Sequence, residues 1–193
     1  MSATRKAAFL DRDGVINIDH GYVYRWDDFE FVPGAIAAMR RLQQAGYALV
    51  VVTNQSGIAR GMYGEADLQA LNQRMLQHLL EHDVQVTGIE YCPHLPEAQV
   101  AAYRQPCDCR KPAPGMLLRA AASHGLDLKA SVMFGDKPSD LEAAAAAGLG
   151  HAYLLSQNGQ GPLPALPASL VAMPGFAAAT AQSLEAAAAA LLG

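Results

Sequence analysis

Apolar positions along this chain fall into two patterns. Short continuous runs of four to seven residues alternate with longer stretches in which apolar side chains recur every three or four positions. The first pattern suits strands buried on both faces, the second amphipathic helices. The runs predict strands over 6–10, 47–53, 88–91, 131–135 and 151–155, with a last strand over 169–173. The β-branched stretch Tyr-Ala-Leu-Val-Val-Val-Thr at 47–53 is the strongest of them. Helices are predicted over 34–45, opened by Pro33 and Gly34 and closed by Gly46, and over 65–82, 114–124, 138–147 and 176–192. In the helix at 65–82 the expected inward stripe is Leu68, Leu71, Met75, Leu76, Leu79 and Leu80. Residues 92–109 and 156–168 carry the Pro and Gly of loops.

Strand and helix alternate throughout, which predicts an α/β protein. It should be a Rossmann-like, doubly wound parallel sheet with helices on both faces. In such sheets ligands bind beyond the carboxyl ends of the strands. Asp11 and Asp136 each follow a predicted strand and Thr53–Gln55 closes another, so three distant segments should meet on one rim.

Composition adds limits. With 193 residues, 51% apolar and 17% charged, a single globular domain over 1–193 is expected. A net charge of −4 gives no electrostatic support for a nucleic-acid partner. No apolar run approaches the ~20 residues of a membrane span, and the apolar run at the N-terminus stops at Asp11, too soon for a signal peptide. A cytoplasmic monomer is the expectation. Three cysteines, Cys92, Cys107 and Cys109, crowd into one segment, which fits metal ligands better than a disulfide framework.

The chemistry concentrates in four motifs. Asp11-Arg12-Asp13-Gly14 sets two carboxylates at a strand end, and Asp136 and Asp140 come from another. Gathering carboxylates is unfavourable unless a cation joins them, and hard oxygen ligands from few side chains suit magnesium. Thr53-Asn54-Gln55-Ser56-Gly57 supplies hydroxyl, amide and backbone donors of the kind phosphate oxygens accept. In Arg110-Lys111-Pro112 the lysine offers a point charge and the arginine a planar fork for a second phosphate or sugar oxygens. In Gly135-Asp136-Lys137-Pro138-Ser139-Asp140, Asp136 is placed as a metal ligand and Lys137 adds a cation for substrate. Asp140 either orients a lysine or satisfies the helix N-terminus. A further cluster, Cys92, His94, Cys107 and Cys109, has the donors of a closed tetrahedral zinc site. That zinc would be structural and would hold the adjoining Arg110 and Lys111.

The order DRDGVIN, TNQSG, RKP, GDKPSD resembles the haloacid dehalogenase superfamily of phosphatases over residues 11–140. The resemblance implies Asp11 as nucleophile and Asp13 as proton donor and later base. It implies Thr53 and Lys111 as phosphoryl ligands, and magnesium on Asp11, the Asp13 carbonyl and Asp136. The zinc loop is similar to that of the branch containing histidinol phosphatases and heptose bisphosphate phosphatases. It implies a small phosphorylated sugar as substrate, with histidinol phosphate as the alternative. A phosphosugar-binding protein without catalysis would need a lost acid, and all the acids are present. About 40 residues separate Asp13 from Thr53 and about 57 separate Thr53 from Arg110, nearly all used by predicted elements and the zinc loop. The site is therefore expected to be capless, walled by the loop 17–31 and the zinc loop. Asp19, His20 and Tyr22 are candidates for sugar hydroxyls, with Asn54, Gln55 and Ser56 beside them. Trp26 suits either packing under the loop or contact with ligand.

Overall fold

A computed structural model describes residues 5–171 and 173–193. The strands are β1 (Arg5–Leu10), β2 (Ala48–Asn54), β3 (Val86–Cys92), β4 (Leu126–Gly135), β5 (His151–Leu155) and β6 (Ala177–Ala181). They form one sheet in the order β3-β2-β1-β4-β5-β6, and every pairing is parallel. The helices are α1 (Ala35–Gln44), α2 (Ser56–Ala59), α3 (Glu65–Glu81), α4 (Gly115–His124), α5 (Pro138–Ala147), α6 (Ala168–Val171) and α7 (Leu184–Leu192).

The parallel sheet is covered on both faces, as the continuous apolar runs require. Leu10, Leu49 and Val51 face a core shared with Met39 and Leu42 of α1, Met75 of α3 and Ala187 of α7. Phe9, Val50 and Val52 face the opposite core, against Met116 of α4, Leu141 of α5 and Leu170 of α6. Successive side chains of a strand alternate between these two layers. Helix α5 has Pro138 at its first turn, Asp140 at the third helical position and Gly148 as a left-handed stop, so its limits coincide with the sequence expectation.

Four expectations need correction. β4 starts at Leu126, not 131. Its first residues pair with Arg5 and Lys6, then the register shifts before Ala8. Ser131 bridges that irregularity, accepting from the Ala7 amide at 2.8 Å and donating to the Asp127 carbonyl. Exposed Lys129 and Ala130 mask the strand in the hydropathy pattern. In α3, Leu68, Leu71, Met75 and Leu79 are buried and Leu76 is partly so, but Leu80 is exposed because it lies a further ~100° round the helix. The segment 169–173 is not a strand: Ala168–Val171 is a short helix, and Ala172 lies outside the described residues, as do residues 1–4. The segment 176–192 is not one helix. Ala177–Ala181 pairs with His151–Leu155 as the edge strand, and α7 starts only after Ser183, whose hydroxyl accepts from the Ala186 amide at 3.2 Å. Alanine favours helix, but an unpaired β5 edge offers this segment a row of ladder hydrogen bonds, and tertiary pairing overrides local propensity.

Among the described residues no helix is long and apolar enough to cross a membrane.

Candidate active site

The carboxyl ends of β1, β2 and β4 are adjacent in the sheet, so the residues that follow them converge. Asp11 follows β1 and is buried. Its Oδ1 accepts the Arg12 amide at 2.8 Å and lies 3.0 Å from Nζ of Lys111. Among the described residues these contacts fall on Oδ1, which leaves Oδ2 for other chemistry. Lys111 is buried too, and its Nζ makes two further contacts, to Asp140 Oδ1 at 2.6 Å and to the Val52 carbonyl at 2.7 Å. Burial disfavours that ammonium charge, but Asp11 and Asp140 more than offset it and raise its pKa above the usual lysine range.

Asp140 was expected either to orient a lysine or to satisfy a helix end. It does both: Oδ1 holds Lys111 while Oδ2 accepts the Lys137 amide at 2.9 Å. Oxygens of Asp11, Asp136 and Asp140 lie within 4.8 Å of one another. With both Asp140 oxygens engaged, Asp11 and Asp136 are the carboxylates left to share a cation. Asp136 Oδ1 is buried and has no hydrogen-bond partner among the described residues. An orphaned carboxylate oxygen beside a second buried acid fits a hard divalent ion. Burial, then the charge of Asp11, pushes Asp136 up to about 8. Burial pushes Asp11 up to about 6, against the pull of Lys111. The chain turns at Gly14 with φ 88°, and a Cβ there would lie 2.3 Å from Asp136 Oδ2, so glycine alone lets the two segments close together.

Asp13 is held on several sides. Arg12 Nη2 reaches Oδ1 at 2.8 Å, Asn17 Nδ2 donates to Oδ1 at 3.1 Å, and Gln55 Nε2 donates to Oδ2 at 3.0 Å. Arg12 is itself fully buried and anchored on the Val23 carbonyl at 2.6 Å. Asn54 ties two of the segments together: its side chain exchanges hydrogen bonds with the backbone N–H and carbonyl of Lys111, both at 3.1 Å.

Two adjoining cavities open on this rim. The inner one, about 200 Å³, is lined by Asp11, Asp13, Thr53, Arg110, Lys111 and Lys137 among others. The outer one, about 280 Å³, is lined by Asp19, Tyr22, Gln55 and Tyr63, and shares Asp13, Asn54, Ser56 and Lys137 with the inner one. Asp19 lies 3.8 Å from Lys137 across the outer cavity. His20 is elsewhere: it pairs with Glu30 at 3.4 Å and lines a neighbouring groove. Trp26 packs under the loop, stacked on Phe29 and edge-on to Phe31.

The zinc-type cluster is assembled. Cys92 Sγ lies 3.1 Å from Cys109 Sγ and 3.6 Å from Cys107 Sγ, and His94 Nδ1 lies 3.3 Å from Cys109 Sγ. A tetrahedral centre with Zn–S bonds of about 2.3 Å places its sulfurs about 3.8 Å apart, so the four donors fit zinc after small shifts. The Arg110 guanidinium points its Nη1 at the His94 carbonyl at 3.5 Å, which links this cluster to the inner cavity.

Sequence reasoning missed Arg12, Asn17, Tyr63 and Asn158. Arg12 and Asn17 sit inside the DRDGVIN motif and were legible there as clamps on Asp13. Asn158 accepts the Asp19 amide on Oδ1 at 2.8 Å and donates its own amide to the Gly14 carbonyl at 3.1 Å, from a loop without any motif.

Residues 4–148 match the haloacid dehalogenase-like hydrolase family. A D-glycero-beta-D-manno-heptose-1,7-bisphosphate 7-phosphatase of Salmonella typhi is 54% identical over 155 residues, 80% of this chain and 82% of that one. The phosphatase of the same name from Escherichia coli K12 is also 54% identical, over 80% of this chain and 81% of its own. Among solved structures, a D,D-heptose 1,7-bisphosphate phosphatase from B. bronchiseptica, complexed with magnesium and phosphate, is 36% identical with a TM-score of 0.78. It covers 97% of this chain and 98% of its own. A haloacid dehalogenase-like phosphatase from Mesorhizobium loti is 34% identical with a TM-score of 0.80, covering 98% and 88%.

Proposed function

The chain belongs to the haloacid dehalogenase-like hydrolase family, and from that membership we propose that it removes the 7-phosphate of D-glycero-D-manno-heptose 1,7-bisphosphate through an aspartyl phosphate on Asp11. The observation that carries this reading is the spread of cations. Lys111 is buried at the nucleophile, while Arg110 and Lys137 line the same inner cavity without being buried with it. A monophosphate needs only the inner charge. A bisphosphate needs a second one for its distal group. An amine-bearing substrate such as histidinol phosphate would instead be repelled there.

Uncatalysed phosphate monoester hydrolysis is among the slowest biological reactions, and a carboxylate nucleophile divides it into two easier displacements. Asp11 attacks phosphorus through its oxygen, forming an O–P bond as the bond to the sugar oxygen breaks. Asp13 gives its proton to that leaving oxygen. The resulting Asp13 carboxylate then takes a proton from water, whose oxygen attacks phosphorus and frees phosphate and Asp11. Lys111 and the Thr53 hydroxyl bear on the equatorial phosphoryl oxygens, where charge stabilisation dominates catalysis. Asp11, Asp136 and the Asp13 carbonyl would hold magnesium, which supplies further positive charge to nucleophile and phosphate. Cys92, His94, Cys107 and Cys109 would hold a structural zinc and with it the Arg110–Lys111 turn.

Asp19, Tyr22, Asn54 and Ser56 face the sugar in this reading, and His20 lines the neighbouring groove instead. The protein works as a single domain without a separate cap, as a cytoplasmic monomer that supplies heptose 1-phosphate for nucleotide activation and lipopolysaccharide. Phosphate release from purified protein with magnesium tests the proposal. The heptose bisphosphate should exceed histidinol phosphate by at least about 100-fold in kcat/KM, and Asp11→Asn should abolish turnover. A preference for histidinol phosphate would overturn the substrate assignment.

A further inference from the structure

Hydrogen bonds around Gln55 run in one direction. Gln55 is buried, and its Oε1 accepts from the Tyr63 hydroxyl at 2.6 Å. Its Nε2 then donates twice, to Asp13 Oδ2 at 3.0 Å and to Thr53 Oγ1 at 2.8 Å. A carboxamide has one oxygen acceptor and two N–H donors, so whichever group fixes the oxygen fixes the donors. The tyrosine is immobilised in its turn. Its ring stacks on Tyr24 with centroids 4.9 Å apart and packs among Ile58 and Leu68. It also occupies the space left by Gly57, where a Cβ would lie 2.1 Å from the ring. Burial, opposed by Arg12 and assisted by Asp13, pushes the phenol up to about 12. The hydroxyl therefore keeps its proton, and donates, across the working range of a phosphatase.

We infer that Tyr63 is a positioning residue: it locks the Gln55 amide so that one side chain aims both the proton donor Asp13 and the phosphoryl ligand Thr53. Reversing the amide would set its oxygen against the Asp13 carboxylate and against the Thr53 oxygen. In the observed orientation Thr53 Oγ1 already accepts an N–H, so its own proton is available to a phosphoryl oxygen in the inner cavity. Tyr63 lies ten residues beyond Thr53 and outside every sequence motif singled out above. Arg12 and Asn17 also hold Asp13, so loss of the tyrosine hydroxyl misaligns the acid without removing it. The inference rests on Asp13 being the proton donor in the reaction proposed above.

The test uses full-length magnesium-loaded enzyme and two substrates. The sugar oxygen of the heptose bisphosphate would depart as a poor alkoxide and needs the acid's proton, whereas p-nitrophenyl phosphate releases a stable phenolate and does not. In each variant kcat/KM is measured on both substrates in one preparation, so the ratio is independent of the folded fraction. Tyr63→Phe should lower kcat/KM for the bisphosphate about tenfold more than for p-nitrophenyl phosphate. Gln55→Met should give the same split, and adding Tyr63→Phe to it should widen the split no further. Equal losses on both substrates, or independent losses in the double variant, would overturn the inference. Asp13→Asn separates this from failure of the mechanism. If Asp13→Asn spares kcat/KM for p-nitrophenyl phosphate, which reports the steps up to leaving-group departure and not the later one in which Asp13 acts as base, and Tyr63→Phe does not discriminate, only the role of Tyr63 falls. If Asp13→Asn fails to discriminate, the proton-donor assignment falls and the inference with it.

Discussion

Replacing Asp140 with alanine separates two duties that one side chain performs. Its Oδ1 sits 2.6 Å from the buried Lys111 ammonium, and its Oδ2 accepts the Lys137 amide at the start of α5. Removing one partner of a buried ion pair costs about 3–5 kcal/mol, because the other charge stays behind without compensation. Lys111 would keep Asp11 at 3.0 Å and the Val52 carbonyl at 2.7 Å, so the lower end applies, about 3 kcal/mol. The lost cap adds about 1 kcal/mol. A total of about 4 kcal/mol lowers Tm by roughly 8–16 °C in a chain of this size. Asp140→Asn keeps a carbonyl oxygen for Lys111 and should lose about half as much. Thermal melts followed by circular dichroism measure the shift, and phosphate release measures activity. The alanine variant should also lose at least tenfold in kcat, since the Lys111 ammonium would lose one of the three contacts that fix its position beside Asp11. An alanine variant melting within about 2 °C of the parent would refute the claim that this pair organises the site.

Metal-free protein should lose stability as pH rises. Asp11 and Asp136 are raised from 3.8 to about 6 and about 8, so between those values the folded chain binds more protons than the unfolded one. Their contribution is complete below about pH 4 and is lost through about pH 6 and then about pH 8. A Tm series from pH 5 to 9 should therefore fall without magnesium, and added magnesium should raise Tm more at pH 8 than at pH 5. Cys107→Ser should abolish a zinc content of one per chain, measured by elemental analysis, and lower Tm. It should raise KM for the bisphosphate several-fold, because Arg110 leans on the His94 carbonyl. Gly14→Ala puts a Cβ at φ 88° against Asp136 Oδ2. It should weaken magnesium binding at least tenfold by calorimetry, and an unchanged affinity would contradict the close packing described here.

Local signals in the chain were sufficient for most of the fold. The apolar runs at β1, β2 and β5 and the punctuation of α1 and α5 by Pro and Gly specify those elements, because both periodicity and capping act within a few residues. The same locality explains the failures. Ala177–Ala181 carries a helical composition and becomes a strand because β5 presents an open edge, which nothing near residue 177 records. β4 extends back to Leu126 because a register shift against β1 is bridged by Ser131, more than a hundred residues from its partner Ala7.

The sequence by itself determined the chemistry available: four motifs at strand ends, the donor set of a zinc cluster, and the family. Those features depend on residue identity and on the rule that strand ends share a rim. Only the tertiary structure decided which groups act together. It set Asp140 on Lys111 and left an Asp136 oxygen unpartnered. It drew His20 out of the cavity and brought Tyr63 to the amide that orients Asp13 and Thr53. Hydrogen-bond partnership requires positions fixed to a fraction of an ångström, and that precision arises from packing across the whole molecule, not from any short stretch of chain.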